Sequence, residues 1–162
     1  MSTSPVIVRL DQVQDYQFDI HFDASMPLLR SDEPAPLGQG SGPSPVQLLA
    51  AAVGNCLSDS LLFALRKFKL DAGALQTEVA ATVGRNAEGR MRVVLIEASL
   101  RMSQLPDKAD LLARTLNQFE AFCTVTQTVA AAVPVHVRVF GPQGQQLHGP
   151  SLPEQGATQA EA

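Results

Sequence analysis

Apolar residues recur along this chain at two periods. Tyr16, Phe18, Ile20 and Phe22 alternate with polar neighbours at the strand period, and Val6-Ile7-Val8 precedes them, so residues 6–30 predict a hairpin or meander. From Val46 to about Phe68 the period is helical. Leu48, Leu49, Ala52, Val53, Leu57, Leu61, Leu62, Phe63, Leu65 and Phe68 spread nearly all the way round that helix, which predicts burial on most faces. One small domain rarely covers such a helix, and a partner subunit would. Residues 76–83 and 90–102 alternate again, with Arg85-Asn86-Ala87-Glu88-Gly89 between them supplying the Asn and Gly that a hairpin turn prefers. Pro106-Asp107 opens a second amphipathic segment through Leu111, Leu112, Leu116, Phe119 and Phe122, continuing or restarting at Cys123 and running to Ala131. Pro134 separates it from a last strand, residues 135–140. Strands, long helix, hairpin, second long helix and strand predict an α+β fold with a mainly antiparallel sheet.

Between Ser31 and Pro45 the composition turns to Pro, Gly, Ser and acids, which marks a loop. Its end is a helix start: Ser44 suits the N-cap, Pro45 the first helical position, and Gln47 completes a capping box. Beyond Gly141 little remains to bury. The predicted organisation is therefore one domain over residues 1–141 and a flexible tail over 142–162.

At 162 residues and 45% hydrophobic content the chain can build a core. Its 12 Lys and Arg against 16 Asp and Glu give a formal charge of -4, with no basic cluster interleaved with aromatics, so no nucleic-acid partner is expected. Met1-Ser2-Thr3-Ser4-Pro5 lacks the charged and apolar regions of a signal peptide, and no apolar run reads as long enough to span a membrane. A cytoplasmic protein without a membrane partner is expected. In a reducing compartment its two cysteines, Cys56 and Cys123, are free thiols rather than a permanent staple.

Each cysteine sits in an apolar helical segment. Cys56 follows Gly54-Asn55, and a mid-helix Gly, which costs about 1 kcal/mol relative to Ala, suggests close approach of another backbone or room for a small ligand. Cys123 lies in Phe122-Cys123-Thr124-Val125-Thr126, where β-branched residues interrupt the helical run; a break there would put the thiol near a new helix start, which favours thiolate. Taken singly, either could be an inert core residue. Packed helices at about 8–10 Å can nevertheless bring two thiols together, one to be oxidised and the other to resolve it as a disulfide.

The run Gly42-Pro43-Ser44-Pro45-Val46-Gln47-Leu48-Leu49-Ala50-Ala51-Ala52-Val53-Gly54-Asn55-Cys56, followed by Phe122-Cys123-Thr124-Val125 and a C-terminal strand, resembles the OsmC/Ohr family of thiol-dependent hydroperoxide reductases. The resemblance extends in order to Phe140. It implies an intertwined homodimer with two long central helices and two interface sites. In each, Cys56 attacks an organic hydroperoxide, Cys123 resolves the sulfenic acid, and an external dithiol such as a lipoylated protein reduces the bridge. No bound cofactor is implied.

One departure bears on mechanism. The family's peroxidases resemble one another in a Glu at the first helix start, paired with an Arg, where this chain has Val46 and Gln47. Gln47 can hydrogen-bond an Arg but cannot hold it by charge. Arg30 and Arg9 are the candidate cations, Arg30 preferred because its loop leads towards Cys56. Asp59 and Glu120, each three residues from a thiol, would raise its pKa unless a cation offsets them; solvated helix faces are the simpler reading. His21, His136 and His148 are scattered, and none is assigned to catalysis or to a metal. The alternative function is a non-peroxidatic dimer that binds a small apolar or electrophilic ligand.

Overall fold

The computed structural model describes residues 4–151 and divides the chain into two compact units at Val53/Gly54, inside one continuous helix. The sequence predicts a single domain over residues 1–141.

The first unit, Met1–Val53, holds an antiparallel meander of β1 (Arg9–Gln14), β2 (Gln17–His21) and β3 (Leu29–Ser31) in the order β1-β2-β3. Register pairs Phe18 with both Gln12 and Ser31. The expected apolar face is only partly realised. Ile20 is buried, but Tyr16 and Phe22 are exposed, and the second buried residue of β2 is Gln17, because Asp32 supplies it with a buried acceptor at 3.2 Å. Val6, Ile7 and Val8 precede β1 rather than forming a strand and are exposed.

Helix α1 (Pro45–Lys67) begins as predicted. The Ser44 amide donates to Gln47 Oε1 at 2.8 Å and the Gln47 amide to Ser44 Oγ at 3.4 Å, which satisfies donors the helix itself cannot. Val53, Leu57, Leu61 and Leu65 form its fully buried stripe, while Phe63 is exposed. At 23 residues α1 is, contrary to expectation, long and apolar enough to cross a membrane by length and composition alone. Its interior holds Asn55, Ser58 and Asp59, and Ser58 is hydrogen-bonded to a strand of the same chain, as a packed core helix requires.

In the second unit, β4 (Leu75–Arg85) and β5 (Met91–Met102) form the predicted hairpin. Asn86 Oδ1 accepts the amides of Glu88 and Arg90, and Gly89 takes the positive φ of 74° that closes the turn. The chain then forms α2 (Ala109–Leu116), a 3₁₀ turn (Phe119–Phe122) and α3 (Thr124–Ala130) before β6 (Val135–Phe140) and β7 (Gln146–His148). The second long helix expected from the sequence is thus divided, with its restart at Cys123. These pieces are the crossover that lets β6 pair parallel to β5; the remaining pairs are antiparallel, giving the order β4-β5-β6-β7. Of the expected tail, residues 146–148 are a strand because they continue the ladder of β6; residues 152–162 lie outside the described residues.

Register puts Val79, Ala98 and Val137 side by side on the apolar face, flanked by Ile96, Leu100 and Val139, all three fully buried. The other face is polar: Arg138, itself buried, pairs with Glu97 at 3.2 Å. Helix α1 meets the apolar face at Gly54, where a Cβ would stand 2.8 Å from Val79 Cγ2 and 3.5 Å from Thr77 Cγ2. The valine is stiff at χ1 and cannot swing clear. Ser58, one turn on, donates to the Gly54 carbonyl at 2.7 Å, so the 2.7 Å contact with Thr77 takes its proton from Thr77.

Gly54→Ala should therefore destabilise the protein. Its helix-propensity gain of about 1 kcal/mol is opposed by an overpacking cost of about 1–3 kcal/mol. Chemical denaturation of G54A, V79A and the double variant checks this: a favourable coupling of about 1 kcal/mol is expected, and additive effects would refute the contact.

Candidate functional site

Cys56 lies on α1 two residues after Gly54, so it projects about 200° round the helix from the contact with β4. It is half-buried. Cys123 is fully buried and sits where the 3₁₀ turn ends and α3 begins, its backbone extended at φ -81° and ψ 97°. That kink is fixed on both sides. The Cys123 amide donates to the Glu120 carbonyl at 3.1 Å, and the Cys123 carbonyl accepts the Gln127 amide at 2.9 Å.

The two thiols are neighbours. Cys123 lies close enough to Cys56 for that thiol to raise its pKa, and both are unbridged. The Cys123 thiol also donates to Thr126 Oγ1 at 2.9 Å. Burial pushes the Cys123 thiol above its ordinary pKa, and the neighbouring Cys56 thiol adds to the rise; Thr126, through its hydroxyl and its amide, pulls the other way. The arrangement therefore has two neighbouring thiols, the deeper disfavoured as thiolate by burial and held by a hydroxyl. Such a pair can pass between dithiol and disulfide.

The other candidates are engaged elsewhere. Arg30, exposed on β3, donates from Nε to Asp19 Oδ1 at 2.8 Å and from a terminal nitrogen to Asp19 Oδ2 at 3.1 Å. The ion pair raises the pKa of Arg30 and lowers that of Asp19. Gln47 forms the cap of α1. Arg9 and His21 both reach Asp11, at 3.0 and 3.1 Å. Asp59 accepts from Asn55 at 3.3 Å, and Glu120 meets His148 Nε2 at 2.8 Å while the His148 ring stands edge-on to Phe119. Among the described residues no three His, Cys, Asp or Glu side chains gather as a metal site would need.

Sequence reasoning missed two residues. Thr126 is buried three positions after Cys123, the spacing at which a helix N-cap meets the third helical residue. That spacing was a readable signal. Asp32 gave none, because its partners are remote: Oδ2 accepts from Gln17 Nε2, from the Gln39 and Ser41 amides, and from Ser41 Oγ, at 3.0 to 3.2 Å. These bonds fold the loop that delivers Ser44 to the start of α1.

Residues 38–138 match the sequence profile of the OsmC-like protein family. No protein of curated function matches the chain. Solved structures share its fold at low identity, among them the following three. An OsmC-like protein from Mycoplasma pneumoniae has a TM-score of 0.74 at 12% identity, over 86% of this chain and 99% of that one. An organic hydroperoxide resistance protein OsmC from Legionella pneumophila, also described as a predicted redox protein, has 0.67 at 14%, over 86% and 98%. The organic hydroperoxide resistance protein OhrB of Bacillus subtilis has 0.62 at 17%, over 82% and 97%.

The carboxyl of Asp32 is held down from 3.8 to about 2, first by the Ser41 amide and then by its other donors, against the penalty of burial. A depressed carboxylate stabilises the fold above its unfolded value, and that contribution is lost as pH falls through the folded one. Loop order should therefore decline between about pH 4 and pH 2. The Gln39 and Ser41 amide resonances should report it by NMR, and Asp32→Asn should abolish the titration. An unchanged titration in D32N would refute the assignment.

Proposed function

The chain belongs to the OsmC-like protein family, and we propose that it reduces organic hydroperoxides, with Cys56 as the attacking thiol and Cys123 as the resolving one. The observation that carries this reading is the proximity of the two thiols, near enough for Cys56 to raise the pKa of Cys123 although their segments are 67 residues apart. Similarity in fold to hydroperoxide resistance proteins supports it.

In this reaction the Cys56 thiolate attacks the outer peroxide oxygen, the O–O bond breaks, and the departing alkoxide is protonated to the alcohol. Cys56 is left as a sulfenic acid. The Cys123 sulfur then attacks the Cys56 sulfur, the S–O bond breaks, and hydroxide leaves as water with the proton that Cys123 gives up. An external dithiol reduces the disulfide by two exchange steps. Cys56 is half-buried and Cys123 fully buried, which fits the order of events. Phe63 projects within about 20° of Cys56 on α1 and is exposed, so an apolar substituent on the peroxide has a surface to rest on. Arg30 and Gln47 would have to exchange their bonds to Asp19 and Ser44 to reach the substrate.

The proposal extends to a cytoplasmic homodimer. In the second unit Phe63 and Phe122 are each more than half exposed, large apolar side chains that a second copy of the chain would cover. Sedimentation should give twice the monomer mass. A second reading, a small-molecule binder without turnover, is favoured by the absence of a carboxylate at Val46 and Gln47 and by the commitment of Gln47 to the helix cap.

Stoichiometric oxidation with cumene hydroperoxide, followed by thiol counting and mass mapping, separates the two. The peroxidase loses both thiols to a Cys56–Cys123 bridge. Cys56→Ser should lower peroxide consumption to the background rate, because the nucleophile itself is lost, whereas Cys123→Ser should retain the first turnover and accumulate sulfenic acid. Free thiols with unconsumed peroxide would sink the reading and leave the binder.

A further inference from the structure

The hydroxyl of Thr126 is 2.9 Å from the Cys123 sulfur, and both residues are buried, at 3% and 0% exposure. Water cannot readily take over such a contact. A threonine hydroxyl accepts from a thiol and, after rotating, donates to a thiolate, so one group serves both protonation states without backbone movement. The surroundings offer no ready substitute. Helix α3 carries no ionisable residue from Thr124 to Ala130, Glu120 on the preceding turn is turned to His148, and α1 presents the Cys56 thiol itself, its Asp59 being bonded to Asn55. Among the described residues no cation acts on the Cys123 thiol, and a buried thiol so placed resists ionisation, yet resolution needs the thiolate.

We infer that Thr126 is the positioning residue of the resolving thiol: it aims the Cys123 sulfur and steadies it as the thiolate that closes the disulfide. This deepens the peroxidase reading above and rests on it for the chemical step, in which the Cys123 sulfur forms the S–S bond, the Cys56 S–O bond breaks, and the proton of Cys123 leaves in water. The direction of the Cys123 pKa agrees, since Thr126 opposes the rise caused by burial and Cys56. The peroxide step at Cys56 should be indifferent to Thr126. The two steps therefore separate kinetically.

The variants are Thr126→Val, which keeps the shape and removes the hydroxyl, and Thr126→Ser, which restores it. After one equivalent of cumene hydroperoxide, T126V should form the Cys56 sulfenic acid at the wild-type rate, read by dimedone trapping. Disulfide closure should slow about tenfold, and its pH profile should move up by about one unit, the equivalent of that factor. T126S should return both to near wild type. Closure in T126V with the wild-type rate and pH profile would overturn the inference, as would a T126S variant as slow as T126V. Independently of any peroxide chemistry, the thiolate absorbance of Cys123 should be titrated in Cys56→Ser with and without T126V. An upward shift upholds the role of Thr126 even if wild-type protein consumes no peroxide, which would defeat only the functional reading; an unshifted titration defeats the inference itself.

Discussion

The close approach of α1 to β4 at Gly54 is the contact on which the site depends. With no side chain at that position the helix lies against Thr77 and Val79, and Ser58 ties it there through Thr77. The rotation of the helix about its axis is then fixed. Once Gly54 faces the sheet, Cys56 must face away from it, and the helical period alone assigns Phe63 to the same side. A side chain at residue 54 would push the helix outward and move the thiol with it.

The second thiol is placed by a different device. The crossover from β5 to β6 breaks at Cys123, and its two backbone hydrogen bonds hold the residue extended between the 3₁₀ turn and α3. Burial removes Cys123 from water and disfavours its ionised form, while Thr126 lowers part of that barrier. The two influences have distinct uses in a two-step oxidation. A buried, largely neutral sulfur is protected from direct attack by oxidant, and a hydroxyl within reach allows it to act once Cys56 has been oxidised.

Much of this was legible in the residues. Ser44-Pro45-Val46-Gln47 announces a helix start because a capping box is a local bargain between neighbours, and Asn86 through Gly89 announce a turn because only certain residues tolerate its backbone. The β-branched run after Cys123 signalled the helix break for the same reason. The partners of Asp32, Arg30 and Glu120 were not legible. They lie up to 15, 11 and 28 positions away, and nothing in local propensity selects among equally polar alternatives at such range. Strand β7 was missed because three residues with little to bury gain their structure only from the ladder of β6 beside them.

The sequence by itself determined the elements, the α+β class, the OsmC-like character and the two cysteines worth following, since these depend on periodicity, capping and residue type along a continuous stretch of chain. Only the tertiary structure decided that the two thiols are neighbours and that the polar candidate Arg30 is already paired with Asp19. Those outcomes depend on distances between segments remote in sequence. Such distances are set when sheet register and the helix contact at Gly54 fix every side chain together, and no window of sequence contains that information.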